Sequence, residues 1–193
     1  MSRAERKRLA LRWFISGGQA GADRGGLLAA EVLGLRTGGW APRGWLSEDN
    51  AGAPLLRDRF GLQECLVGDS RASRYRARTK ANVEAADMTL IFGRLSPGSC
   101  LTRDCAARLG RTWVWFTADN ADERSRLRYF VFGHRPRVVN IAGNRESKNP
   151  GIEKRVRRFL SESLLGDIVK RRAKDEAHGG SWLPAAEAAP RIP

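Results

Sequence analysis

Short apolar runs alternate with longer segments of helical periodicity along most of the chain. Each run is continuous rather than alternating, which is typical of strands buried on both faces. The strands predicted in this way are a run ending at Ser16 and the segments 62–67, 88–92, 112–116 and 137–141. The intervening periodic segments predict helices over 23–33, 73–86, 101–109, 122–132 and 150–165. Residues 38–52 are rich in Gly, Pro and Trp and predict an irregular loop, while 96–99 predict a turn.

This order of elements predicts one α/β domain over residues 11–165. Buried strands that alternate with helices are typical of a mostly parallel sheet covered on both faces. We therefore expect a Rossmann-like three-layer α/β/α sandwich. Residues 1–10 are basic and read as a lead-in to this domain, and residues 166–193 read as a flexible C-terminal tail rich in Gly, Ala and Pro.

The composition excludes several classes of protein. The 193 residues are 41% hydrophobic, which excludes a wholly disordered chain, and no apolar run approaches the roughly 20 residues that span a bilayer. Three cysteines are too few and too scattered for a disulfide framework or a closed zinc site. We expect a cytoplasmic protein that does not insert into the membrane.

Three loops that follow predicted strands are unusually rich in glycine and small polar residues. They cover residues 16–23, 93–102 and 140–147. Glycines allow backbone N–H groups to approach an anion, and a following helix adds the positive end of its dipole. None of the loops has the dinucleotide fingerprint or the Walker A pattern, so we expect no nicotinamide cofactor. Either the glycines form tight turns only, or the loops bind a phosphorylated ligand.

The same segments resemble a known protein family. The resemblance rests on residues 15–24, 38–44 and 48–49, on Arg78-Thr79 with Asn82, on Leu101-Thr102, and on 140–147 with 150–152. In this order they are similar to the YpsA-like "putative molybdenum carrier" family. That family shares a Rossmann-like superfamily with the lonely-guy (lysine-decarboxylase-like) phosphoribohydrolases and the DNA-processing A proteins. The resemblance covers residues 13–152.

The resemblance implies a nucleotide-like ligand or the molybdenum cofactor, held by its phosphate at the glycine loops. The related phosphoribohydrolases carry a Gly-Gly-x-Gly-Thr-x-x-Glu pattern at the second loop. Gly98 and Ser99 match its Gly-Thr, but Thr102 stands where the catalytic Glu would be. This difference argues against release of a base by hydrolysis, so a nucleotide phosphoribohydrolase-like enzyme is kept only as an alternative, and the sequence identifies no catalytic residue. Related proteins often form dimers, so a homo-oligomer is a further expectation.

The candidate ligand-binding residues come from these loops and from one helix. Asp23 and the pair Ser99 and Thr102 have an alternative role as helix caps. Arg78 and Asn82 share a helix face, which either presents a guanidinium and an amide to phosphate or is simply solvated. The full candidate set is Gly17, Gly18, Gln19, Gly21, Asp23, Arg78, Thr79, Asn82, Gly98, Ser99, Thr102, Gly143, Arg145, Glu146 and Ser147.

Three further residues are candidates for contact with a planar ligand or a metal. Trp40 and Trp45 either stack on a pterin or purine or pack their loop onto the core. Cys100 lies near a predicted helix start, where the pKa of a thiol tends to fall, and would be a thiolate ligand for molybdenum. Its alternative role is that of a small buried hydrophobic residue.

The charge raises a second hypothesis, a nucleic-acid-binding protein. The chain has 35 Lys and Arg against 21 Asp and Glu, a formal net charge of +14. More than half of this excess lies in the first twelve residues and beyond Asn144, while the segment 71–80 is the main basic cluster between them. No nucleic-acid-binding module is recognisable, so a small phosphorylated ligand remains the first choice.

Overall fold

The computed structural model describes residues 9–177 of the chain. This part contains seven strands and five α-helices. The strands are β1 (Trp13–Ile15), β2 (Arg36–Gly38), β3 (Trp40–Pro42), β4 (Gln63–Cys65), β5 (Met88–Phe92), β6 (Thr112–Phe116) and β7 (Val138–Gly143). The helices are α1 (Ala22–Leu33), α2 (Arg71–Glu84), α3 (Pro97–Arg108), α4 (Ala121–His134) and α5 (Ile152–Ala177). A π-helical turn (Pro54–Arg59) and a 3₁₀ turn (Glu146–Lys148) complete the regular structure of this part.

The central sheet is parallel and has the strand order β2-β1-β7-β5-β6. Helices α1, α4 and α5 pack on one face through a large apolar cluster that contains Leu33, Leu127 and Phe159. Helices α2 and α3 cover the other face, where Trp13 and Ile15 meet Ala81. The predicted three-layer Rossmann-like sandwich with a parallel sheet is therefore confirmed.

The predicted loop over 38–52 contains a strand. Residues 40–42 form β3, which pairs in parallel with β4, so that Trp40 lies opposite Gln63. The side chain of Asn82 holds β3 in place, because its Nδ2 donates to the Trp40 carbonyl at 3.0 Å and its Oδ1 accepts from the Trp40 N–H at 3.0 Å. These contacts come from a helix 42 residues away, so the composition of the loop could not indicate them.

Helix α3 begins earlier than predicted. Residues 97–99, expected in a turn, form its first helical turn. The Ser96 Oγ accepts from the Ser99 N–H at 3.2 Å, and Pro97 occupies the first helical position, where its missing N–H costs nothing.

Helix α5 ends later than predicted. The expected end near Leu165 is wrong, because the helix continues to Ala177 and residues 166–177 of the predicted flexible tail are helical. Ile168 is buried in the core, and Arg172 Nη2 donates to the Leu33 carbonyl at 2.7 Å. Residues 178–193 lie outside the described part of the chain, and so do residues 1–8 of the predicted lead-in. Leu9, the first described residue, is buried.

Over residues 9–177, no helix combines the length and the apolar character needed to cross a bilayer.

Candidate ligand-binding cleft

A cleft of about 270 Å³ opens at the carboxyl ends of the central strands. Strands β1, β7 and β5 are neighbours in the sheet, so the three loops that follow them meet at one edge. Helices α2 and α3 form the remaining walls. The lining residues are Gln19, Asp23, Tyr75, Arg78, Thr79, Ser96, Pro97, Gly98, Leu101, Thr102, Ala142, Gly143, Asn144, Arg145 and Lys148. The structure thus brings together parts of all three loops singled out in the sequence.

A buried ion pair lies at one side of the cleft. Arg78 Nη1 donates to Asp23 Oδ2 at 3.0 Å, and the two side chains are 14% and 5% exposed. Burial raises the pKa of the Asp23 carboxyl above its ordinary value, although Arg78, the Gln19 N–H and Arg145 favour the charged form. The pair joins the first turn of α1 to the middle of α2 and so fixes two walls of the cleft.

Positive charge dominates the rest of the lining. The Arg145 guanidinium lies over the Tyr75 ring, 4.7 Å from its centroid. Across residues 9–177, neither Arg145 nor Lys148 has a carboxylate oxygen within ion-pair distance. Ser96, which caps α3, and the first two residues of that helix line the same cleft and add the positive end of a helix dipole.

At each glycine of the first loop, the space that a side chain would take is occupied by another part of the protein. A Cβ on Gly17 would lie 1.6 Å from Arg78 Nη1, and one on Gly18 would lie 2.7 Å from a Leu56 methyl carbon. Gly21 has φ of 114°, and a Cβ there would lie 2.5 Å from the Asn144 carbonyl oxygen. These glycines therefore allow close packing of side chains and backbone. The sequence suggested a different role for them, the approach of backbone N–H groups to an anion.

The other two candidate glycines differ from each other. A Cβ on Gly143 would lie 2.1 Å from the Phe92 carbonyl oxygen, so this glycine allows β7 to approach β5. A Cβ on Gly98 would have no heavy atom within 4 Å, and Gly98 is exposed in the lining of the cleft. Of the five candidate glycines, Gly98 alone leaves open space.

The candidate hydroxyl groups bond to their own helices. Thr79 Oγ1 donates to the Tyr75 carbonyl at 2.8 Å, and Thr102 Oγ1 donates to the Gly98 carbonyl at 3.1 Å. Both residues line the cleft, whereas Ser99 is buried behind it and its Oγ lies 2.8 Å from Ser96 Oγ.

Some candidates lie outside the cleft lining and have structural partners. Asn82 is 1% exposed and is occupied by the backbone of Trp40. Glu146 accepts from the N–H groups of Gly151 and Glu153 at the start of α5. Its neighbour Ser147 donates from Oγ to Glu48 Oε2 at 2.6 Å, which ties the 43–52 loop to the turn after β7.

Neither tryptophan lines the cleft: Trp40 lies in the core, and Trp45 is partly buried beside it. Trp40 is 5% exposed and packs with Trp13, Ile15 and Ala81, so it offers no face to a ligand. Trp45 packs against the cluster around Leu27 and Phe60. The alternative given for both residues, packing of the loop onto the core, describes their places in the structure.

The lining residues outside the candidate set include Tyr75, Asn144 and Lys148. Tyr75 precedes Arg78 by three positions on α2, so helical spacing alone places the two on one face. Lys148 ends the turn after β7. Asn144 clamps two loops together, because its Oδ1 accepts from the Arg94 N–H at 2.6 Å and its Nδ2 donates to the Arg94 carbonyl at 3.0 Å.

Comparison with known proteins identifies the family of this chain. The model of the "Circularly permutated YpsA SLOG family" matches residues 14–164, which is most of the chain and includes every element that builds the cleft. The chain belongs to this family.

A solved structure of a similar protein agrees with this assignment. It is described as a "putative molybdenum carrier protein" from Syntrophus aciditrophicus, and it shares 34% sequence identity with this chain and a TM-score of 0.71. The match covers 82% of this chain and 97% of the other one. No curated protein matches the chain.

In this member of the family, the cysteines lie away from the cleft lining. Cys100 is partly buried on α3, Cys105 lies further along the same helix, and Cys65 is buried beside Trp40. Among residues 9–177, no group of three or more His, Cys, Asp or Glu side chains is placed to hold a metal ion. The predicted thiolate ligand Cys100 lies beside the candidates Ser99 and Thr102 on α3, but it is not among the residues that line the cleft.

Proposed function

We propose that this protein binds a small phosphorylated ligand, nucleotide-like or pterin-like, in the cleft at the carboxyl ends of β1, β5 and β7. The observation that carries the proposal is the gathering of Arg78, Arg145, Lys148 and the α3 N-terminus around one cleft. Guanidinium and ammonium groups at a helix N-terminus are the groups that bind phosphate in proteins.

The balance of charge favours a dianionic group. Asp23 is the single carboxylate among the described residues that line the cleft, and it is already paired with Arg78. Arg145 and Lys148 then remain for the ligand. A phosphomonoester carries roughly two negative charges near neutral pH, which these two cations would balance.

The family and the name of its solved relative support a carrier role related to molybdenum. The residues present fit the organic part of the molybdenum cofactor, because the cations suit its phosphate. They do not offer a protein ligand for the metal, since the lining contains no cysteine or histidine. When bound, the cofactor would supply the molybdenum chemistry, and the chain would hold its phosphate through Arg145, Lys148 and the α3 N-terminus.

Binding without hydrolysis of a glycosidic bond is part of the proposal. Such hydrolysis uses a carboxylate beside the sugar that is free to act on water or on the developing charge. Asp23 is held by Arg78, and Thr102, which replaces the glutamate of the related hydrolases, donates its hydroxyl proton to the Gly98 carbonyl.

The test is a thermal-shift and calorimetry panel of AMP, GMP, a pterin phosphate, inorganic phosphate and molybdate. A ligand at 100 times its Kd stabilises the folded state by about 2.7 kcal/mol, which is a rise in Tm of about 5–10 °C for a chain of this size. Arg145→Met removes a cation of the cleft and is expected to abolish most of the rise. The matched control is Arg94→Met, an exposed arginine that lines a neighbouring pocket. No rise with any compound, or an equal loss in both variants, would contradict the proposal.

Helix α2 supports a second candidate, nucleic-acid binding. Arg71, Arg76 and Lys80 are exposed on it, whereas Arg78 of the same cluster is committed to Asp23. An oligonucleotide added to the panel separates the two candidates. Nucleic-acid binding predicts an affinity that falls steeply with salt and is weakened by Arg76→Met, while binding of a nucleoside monophosphate would be unaffected by that variant.

A further inference from the structure

Three buried polar atoms of the cleft side chains have no hydrogen-bond partner among residues 9–177. They are Gln19 Oε1, Tyr75 Oη and Arg78 Nε, and all three residues line the cleft. Gln19 is only 2% exposed. Buried polar groups in folded proteins are almost always paired, because leaving one unpaired is costly. Three such atoms at one cleft therefore indicate that their partners come from a ligand.

The donor or acceptor character of two of these atoms is known, one from its neighbour and the other from its own chemistry. Gln19 Nε2 donates to the Leu46 carbonyl at 2.6 Å, and turning the amide over would place two oxygens against each other. Gln19 Oε1 is thus an acceptor that requires a donor. Arg78 uses Nη1 for Asp23, and its Nε is a donor that requires an acceptor.

Tyr75 adds a shape requirement to this pattern. Its ring supports the Arg145 guanidinium at 4.7 Å, an arrangement that leaves the in-plane N–H groups at the edge of the guanidinium. Tyr75 therefore acts as a positioning residue for Arg145. Its own buried hydroxyl is able to donate or accept, so it suits either kind of ligand atom.

We infer that the ligand is an organic phosphomonoester that carries an N–H or O–H donor for Gln19 Oε1, rather than a bare oxyanion such as molybdate. This inference rests on the proposed function and narrows it. A fully deprotonated oxyanion supplies acceptors only, so it would satisfy Arg78 and Arg145 and leave Gln19 Oε1 unpaired. Nucleoside monophosphates and pterin phosphates carry amino, amide or hydroxyl donors on the same molecule as the anion.

The first test compares ligands by calorimetry on the full chain. AMP or GMP is expected to bind at least tenfold more tightly than molybdate, an oxyanion that carries no proton near neutral pH. If molybdate binds as tightly as both nucleotides, the inference is overturned and the proposed anion site stands. If none of the three compounds binds, the proposed function fails, and the inference fails with it.

The second test uses Tyr75→Phe, which keeps the ring under Arg145 and removes the unpaired hydroxyl. The ligand-free protein is expected to be as stable as the parent or more stable, while its affinity for the tighter of AMP and GMP falls about three- to tenfold. The matched control is Tyr129→Phe, which changes the exposed tyrosine of α4 and should alter neither quantity. A loss of stability with unchanged affinity would give the hydroxyl a purely structural role and would contradict the inference.

The third test uses Gln19→Met, which removes the acceptor and the anchor to Leu46 together. Affinity for that nucleotide is expected to fall about tenfold, while affinity for molybdate, which has no proton to donate, stays within twofold. The molybdate measurement serves as the internal control for the lost anchor. An equal fall for the nucleotide and for molybdate would show that Gln19 only supports the cleft, and would overturn its role as the acceptor.

Discussion

The loop after β1 and the loop that enters α3 look alike in sequence and differ in what fills them. Both leave a parallel strand, both contain glycine, and both begin a helix at the same edge of the sheet. In the first loop, the space at Gly17 is taken by Arg78 and the space at Gly21 by the backbone after β7. In the second loop, the space at Gly93 is taken by the Asn144 side chain, but at Gly98, in the first turn of α3, the space is open. A glycine thus marks a close approach, but its neighbours decide whether protein or ligand makes that approach.

The largest expected effect is at the ion pair of the first loop. Asp23→Ala leaves the Arg78 guanidinium buried without its carboxylate, and we expect a loss of about 3–5 kcal/mol in the free energy of unfolding. Urea denaturation measures it. The control is Asp104→Ala, whose pair with Arg103 is largely exposed and should contribute less than about 1 kcal/mol. Similar losses in the two variants would mean that the first loop is not a packed structural unit.

Gly21→Ala tests the same loop through its backbone. The residue has φ of 114°, and a Cβ would lie 2.5 Å from a carbonyl oxygen of the loop after β7. We expect a loss of about 2–3 kcal/mol, measured by urea denaturation, because strain and steric contact add. A loss below about 0.5 kcal/mol would show that the two loops are not in close contact.

Ser96→Ala tests the entrance to α3. Its Oγ caps the helix through the Ser99 N–H and also accepts from Asn144 Nδ2 at 3.2 Å. Loss of an N-cap costs about 1 kcal/mol, so Tm should fall by about 2–4 °C in a calorimetric scan. Ser70→Ala, which removes the corresponding cap of α2, is the matched control and should give a loss of the same size. A much larger loss at Ser96 would assign it a role beyond capping.

Gly98→Ala is expected to have the smallest effect on stability. Its Cβ would meet nothing within 4 Å, and alanine is favoured over glycine in a helix by roughly 0.5–1 kcal/mol. The same substitution that disrupts the first loop should therefore leave Tm unchanged or raise it by a few degrees. A fall in Tm would contradict the open space at Gly98 and with it the comparison.

The sequence predicted the fold better than it predicted the site, for physical reasons. Continuous apolar runs such as Met88–Phe92 indicate buried parallel strands, and their order places the loops at one edge. Strand β2 escaped because Arg36-Thr37-Gly38 lies at the edge of the sheet, where backbone pairing with β1 holds a polar segment. Strand β3 escaped because Asn82, distant in the chain, holds it.

Some candidate residues line the cleft and others have structural roles, and their side-chain partners explain the difference. Arg78 and Arg145 were found because cationic residues beside glycine loops suit phosphate, and the structure places both in the cleft. Glu146 had the same appearance in sequence, yet its carboxylate receives the first N–H groups of α5. Tyr75 was recognisable only through its helical spacing from Arg78. No pattern in the sequence shows which polar residue already has a partner.

A crystal structure of the protein with AMP or GMP bound tests the central claim most directly. The account predicts a phosphate within hydrogen-bond distance of Arg145 and Lys148 at the α3 N-terminus, with a donor atom of the ligand near Gln19 Oε1. A phosphate held instead in the neighbouring pocket beside Arg94 and Arg155, or against the backbone of Gly17 and Gly18, would contradict the account.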